Sequence, residues 1–146
     1  MQFQKSTDYA IRILHYLHNH IPRGDAPTAQ TISEAVGVTY PYFIKIANLL
    51  KRRELITSVQ GRNGGYRIAK SACKISVYDV VLAVEGELKI NHCLEVGKPC
   101  DKGAGQCTMQ AYFREIREGL IEKLSSQYIT DFGLICSREK SLQRNG

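Results

Sequence analysis

The sequence predicts a mainly α fold with a small β-hairpin: a winged helix-turn-helix followed by a long C-terminal dimerisation helix. Three observations predict it. A short helical pattern, a glycine turn and a longer helical pattern succeed one another between Thr28 and Leu50. Two strand-like runs joined by a glycine-rich turn come directly after. An apolar stripe then repeats at helical spacing from Met109 to Leu124, in a chain of 146 residues that offers little else to cover it.

The elements follow in order. Tyr9, Ile13, Leu14 and Leu17 recur at helical spacing and predict a first helix from about Thr7 to His20. Pro22, Gly24 and Pro27 then break the pattern. Thr28 can cap a second helix carrying Ile32, Ala35 and Val36, and Gly37 suits its end. Thr39 can cap a third, whose buried face is Phe43, Ile46, Ala47 and Leu50. Leu55–Val59 and Tyr66–Ala69 read as strands, and the glycines between them permit the positive φ of a tight turn. Ser76 opens a fourth helix with Asp79 at its N3 position, a shorter acid than a full capping box uses, which predicts a weaker cap. Val77, Val80, Val81 and Val84 line its inner side, and Gly86 ends it.

A fifth helix is expected from about Thr108 to Tyr128, with Met109, Tyr112, Phe113, Ile116, Leu120 and Leu124 near one face. The first helix could cover that face, but a second copy of the same helix covers it better, which predicts a homodimer. Residues 138–146 are polar and expected to fray. The chain thus divides into a DNA-binding unit over 1–86, a cysteine loop over 87–107 and a dimerisation helix with its tail over 108–146. No internal repeat or low-complexity segment interrupts it.

Charge is unevenly placed. The chain carries 20 Lys/Arg against 14 Asp/Glu, a net +6. Residues 1–80 hold 11 basic and 5 acidic side chains, whereas the remainder holds nine of each. A positive balance alone means solubility; its concentration beside the helix-turn-helix predicts a polyanion partner. No apolar stretch is long enough to span a bilayer, and the first eight residues lack the apolar run of a signal peptide. Both predict a cytoplasmic protein without a membrane partner, whose cysteines are thiols or ligands.

The expected partner is double-stranded DNA with a pseudo-palindromic operator. Thr39, Tyr40, Pro41 and Tyr42 lie in the first turn of the third helix, the end that enters a major groove, and Lys45 lies one turn along. At the hairpin tip, Gln60, Arg62 and Asn63 stand where a narrow ribbon can reach a minor groove. Lys45 and Arg62 could be plain solvated charges. Gly61, Gly64 and Gly65 argue against an arbitrary polar loop, because they let the backbone turn tightly and approach DNA closely.

Cys93, Cys100 and Cys107 are separated by six residues each, in a segment too polar and glycine-rich to build a core. Three converging thiolates suit a soft metal or an iron–sulfur cluster. Structural zinc usually draws on cysteine pairs two to four residues apart, so zinc is the alternative and a larger cluster the first reading. A four-iron cluster stands ahead of a two-iron one and wants a fourth ligand. Cys73, Cys136, His92 and Asp8 are candidates, each with an ordinary role as a lone thiol, a strained neighbour of Cys93 or a helix-dipole partner. An enzymatic reading is thin, because no phosphate loop or nucleophile elbow frames the cysteines. A thiol redox protein is the remaining alternative.

The chain resembles the iron–sulfur cluster regulator family of bacterial winged-helix transcription repressors, the IscR/NsrR group. Ser6-Thr7-Asp8-Tyr9-Ala10 resembles that family's first helix, Ile32-Ser33-Glu34 through Gly37-Val38 its helix-turn-helix, and Val59 through Tyr66 its wing. Ile75 through Glu85 resembles its fourth helix, and the cysteine loop follows in order. The resemblance implies a homodimer with crossing C-terminal helices and a cluster on Cys93, Cys100 and Cys107. It also implies loss of DNA binding when nitric oxide, oxygen or iron shortage alters that cluster. One branch places a histidine three residues after the third cysteine, where this chain has Gln110. Another supplies an aspartate of the first helix from the other subunit, and Asp8 stands in that place. Two departures are plain: the family's cysteine gaps are closer to five, and Gln60 replaces an arginine found in the first branch.

Overall fold

The computed structural model describes residues 2–20, 24, 26–69, 74–95, 100 and 107–133. The interior of the cysteine loop, Cys73, Cys136 and the polar tail lie outside the described residues. Among the described residues there are five α-helices and one hairpin: α1 (Lys5–His20), α2 (Ala29–Val36), α3 (Tyr40–Arg52), β1 (Ile56–Val59), β2 (Gly65–Ile68), α4 (Val77–Val84) and α5 (Thr108–Ser125). Two single 3-10 turns, His92–Leu94 and Ile129–Asp131, flank α5 in the chain.

Local chemistry sets the boundaries. Thr28 caps α2 by accepting from the Thr31 amide at 3.2 Å, and Gly37 ends it in the left-handed region at φ 75°. Thr39 is the N-cap of α3 without a side-chain bond, and Pro41 sits in the first turn, where no amide is missed. At α4 the expected weak cap is a complete one. Asp79 accepts from the Ser76 amide at 2.9 Å while Ser76 Oγ accepts from the Asp79 amide at 3.1 Å. The shorter acid closes the box, with both reciprocal bonds made.

The core gathers the inner faces of α1 to α4. Ile13 and Leu14 meet Ile32, Phe43, Ile46, Leu50, Ile75 and Val80, all fully buried. Burial of such side chains is worth about 1.5–3 kcal/mol each and makes these helices one unit. The hairpin pairs Ile56 with Ile68 and Val59 with Gly65. It seats on the segment before α2: the Tyr66 amide donates to the Pro27 carbonyl at 3.0 Å, and Arg67 Nη2 donates to the Gly24 carbonyl at 3.0 Å.

The end of α5 differs from the expectation. The helix stops at Ser125, three residues short of Tyr128. The chain turns back so that Ile129 enters the core, fully buried. The Val77 amide donates to the Gln127 carbonyl at 2.8 Å and the Ile129 amide to the Ile75 carbonyl at 3.0 Å. Burying an isoleucine and pairing two backbone groups outweigh one more helical turn.

Candidate nucleic-acid interface and cysteine segment

The second helix of the helix-turn-helix, α3, presents its N-terminal turn outward. Thr39, Tyr40 and Pro41 are exposed, Tyr40 by half, and Lys45 is exposed one turn along. Tyr42 is half-buried because its ring meets Tyr9 of α1 edge-on, with centroids 5.9 Å apart and planes at 90°. Gln60, Arg62 and Asn63 are exposed at the hairpin tip. Among the described residues Lys45 and Arg62 enter no ion pair. Tyr66 stands behind them, edge-on to Phe43 at 5.3 Å. Burial, with the Tyr40 phenol nearby, pushes its hydroxyl pKa up.

Gly65 is the point where the wing meets the body. A Cβ built there would lie 2.1 Å from the Ala26 carbonyl oxygen and 2.3 Å from that of Pro27. Only glycine lets those backbones approach so closely. This contact fixes how far the tip stands from α3.

The cysteine segment begins where α4 ends. Cys93 lies in the 3-10 turn and is half-buried, Cys100 is half-buried, and Cys107 is the exposed N-cap of α5 without a side-chain capping bond. All three are free thiols. Gln110 Nε2 donates to the Cys93 carbonyl at 2.8 Å, so both ends of the segment are held at the same end of α5. A polar cavity of about 200 Å³, lined by Glu87, Lys89, Asn91, Glu95 and Arg117, lies beside this clamp. Asp8 sits on the exposed side of the first turn of α1 and pairs with Arg12 at 2.9 Å. Among the described residues no three His, Cys, Asp or Glu side chains converge at metal-ligand spacing. Asp8 and the cysteines are therefore not gathered into one such group within a single chain. The donor set itself fits a soft metal or an iron–sulfur cluster: three free thiols, none spent on a disulfide or a cap.

Three further residues carry weight that the sequence did not announce: Tyr9, which seats Tyr42; Arg67, which anchors the hairpin; and Glu85, which holds the start of α1. Glu85 Oε1 accepts from the Gln4 amide at 2.9 Å and from the Thr7 hydroxyl. Each acts across a long sequence separation, and no local pattern marks the partner it meets.

No side chain of α5 is fully buried, though Phe113, Leu120 and Leu124 are half-buried. Met109, Tyr112 and Ile116 are 57%, 58% and 39% exposed, an apolar face left open in the single chain.

A helix-turn-helix with a basic, glycine-seated wing defines a DNA-binding protein of the winged-helix class. The chain belongs to the Rrf2 family, described as iron-dependent transcriptional regulators, whose model matches residues 3–133. It is 30% identical over 131 residues to protein aau3 of Rhizobium meliloti (strain 1021), covering 90% of this chain and 84% of that one. Its fold is shared with IscR of T. potens, at 21% identity and a TM-score of 0.69, over 90% of this chain and 85% of that one. The cysteine regulator CymR of B. subtilis shares it too, at 19% identity and a TM-score of 0.70, over 90% and 95% of the two chains. Proteins of this family are DNA-binding transcription regulators rather than enzymes, and this chain is a transcription regulator. Among the described residues no helix is long and apolar enough to cross a membrane.

Proposed function

We propose that the protein is a homodimeric repressor whose operator affinity depends on an iron–sulfur cluster, and that it reports nitric oxide, redox state or iron–sulfur status. The observation that carries this reading is the placement of three free thiols between a complete winged helix and a helix with no fully buried side chain in its own chain. Residues 1–86 bind DNA, residues 87–107 hold the cluster, and residues 108–146 pair the two chains. Cys93, Cys100 and Cys107 are the protein thiolates, and Asp8 is the fourth ligand, supplied across the dimer. A bound four-iron cluster supplies a redox- and nitric-oxide-reactive centre. The rest is done by the chain. The clamp from Gln110 to Cys93 keeps two thiol-bearing segments together, and pairing through α5 sets the spacing of the two α3 helices on a pseudo-palindromic site.

On α3, Thr39, Tyr40, Pro41, Tyr42 and Lys45 face the major groove; on the wing, Gln60, Arg62 and Asn63 face the backbone and minor groove. Anaerobic purification tests the reading. About four irons and four sulfides per protomer, a dimer by light scattering, and operator affinity that falls on nitric oxide titration support it. A colourless protein with one zinc per protomer, or a monomer bound to DNA, sinks it.

A further inference from the structure

Glu85 is an odd residue for its place. It is the C-cap of α4, where a carboxylate opposes the helix dipole, in a protein whose partner is a polyanion. Both facts make the charge costly there. Its compensation comes from elsewhere in the fold. Oε1 accepts from the Gln4 amide at 2.9 Å and from the Thr7 hydroxyl, so Glu85 serves as a long-range cap for α1, whose N-terminus favours an anion. Thr7 is only 4% exposed, so its hydroxyl has little access to water as a substitute. Two residues further along the same helix, Tyr9 meets Tyr42 of the recognition helix edge-on. An α-helix is stiff over that span, so a shift at Thr7 is delivered to Tyr9.

We infer that Glu85 is a positioning residue for DNA binding: through Thr7 and the first turns of α1 it holds Tyr9 against Tyr42 and fixes the pose of α3. It rests on the family's DNA binding and not on the cofactor. The sign of the effect separates it from plain electrostatics. Removing an acid from a DNA-binding protein strengthens binding if charge alone matters; removing this strut weakens it.

The test uses the full-length protein and two duplexes: one selected by the wild type from a random pool, and an unrelated one of equal length. Affinities are read by fluorescence anisotropy alongside thermal denaturation. Glu85→Ala is expected to lose about five- to twentyfold on the selected duplex, the scale of contact-network couplings, with less than about twofold change on the unrelated one. Glu85→Gln keeps an acceptor oxygen and is expected to stay within about twofold of wild type. Thr7→Val keeps the side-chain shape and removes only the donor; it carries the test if Glu85→Ala folds poorly, and its expected loss is about threefold or more. In a double-mutant cycle, Glu85→Ala combined with Tyr9→Leu is expected to be no worse than Tyr9→Leu alone by more than about twofold. Unchanged or tighter binding in Glu85→Ala and Thr7→Val, equal losses on both duplexes, or a fully additive cycle overturns the assignment.

Discussion

Gln110 reaches back across the cysteine segment to Cys93, its side-chain amide 2.8 Å from the backbone carbonyl. The bond is part-buried and joins the 3-10 turn to the first turn of α5. Cys107 lies three residues before Gln110, so one side chain links the two outer cysteines of the set.

Gln110→Ala should loosen that clamp without unfolding the protein. One net hydrogen bond is worth about 1 kcal/mol, or about fivefold in a local opening equilibrium. Amide exchange at residues 92–95 should speed up by about that factor, and cluster loss in air should speed up with it. Wild-type exchange and wild-type cluster lifetime would show that the bond holds nothing in place.

Replacing Cys93, Cys100 or Cys107 by Ala should abolish stable cluster binding, one mutation at a time. Cys73→Ala and Cys136→Ala should not. Iron and sulfide per protomer decide the matter, and full cluster content in any one of the first three variants refutes the ligand set.

The charges proposed to face DNA give a salt signature. Lys45 and Arg62 are exposed and free of ion pairs among the described residues, so Lys45→Ala and Arg62→Ala should leave folding unchanged. Each lost phosphate contact should lower the slope of log affinity against log salt by about one. A slope identical to wild type would place that residue off the DNA.

Gly65→Ala tests how the wing is seated. The new Cβ would sit 2.1 Å from a backbone oxygen of Ala26, and backbone cannot step aside as a flexible side chain can. Overpacking of this kind costs about 1–3 kcal/mol. The hairpin should lift, breaking the Tyr66–Pro27 bond, so operator affinity should fall together with melting temperature. Wild-type stability in this variant would mean that the wing is not held at Ala26.

Much of this fold was legible in the sequence because its signals are local. Thr28, Gly37, Ser76 and the faces of α1 to α3 announce themselves within a few residues. The return of the chain after α5 was not legible. Ile129 and the Gln127 carbonyl find their partners near residues 75–77, and a helical pattern running to Tyr128 looks the same with or without that return. Glu85 was hidden for the same reason, since Thr7 lies 78 residues away. Within the site, the cysteine spacing is plain from the chain, but the convergence of Asp8 with three thiols is not. The convergence proposed above needs two copies of the chain, and neither one sequence nor one fold can display it.

Asp8 carries the riskiest prediction. Its carboxylate is 60% exposed and pairs with Arg12 at i,i+4, a geometry worth about 0.3–0.5 kcal/mol on a helix surface. So small a bond does not lock the carboxylate, which can turn to the iron of a cluster held by another subunit. For the same reason Asp8→Ala should scarcely lower the melting temperature, and any change in the cofactor is then a ligand effect rather than a folding one. A carboxylate oxygen is a harder and weaker partner for cluster iron than a thiolate. Asp8→Ala should therefore leave a cluster on three cysteines that reacts faster with nitric oxide, while operator affinity responds less to its loss. Asp8→Cys should make the cluster more inert. An anaerobic structure of the loaded dimer, read beside nitric oxide titrations of operator binding, decides it. If Asp8 stands far from iron, or Asp8→Ala switches like the wild type, the assignment is wrong, and His92 or a solvent molecule is the next candidate for the fourth corner.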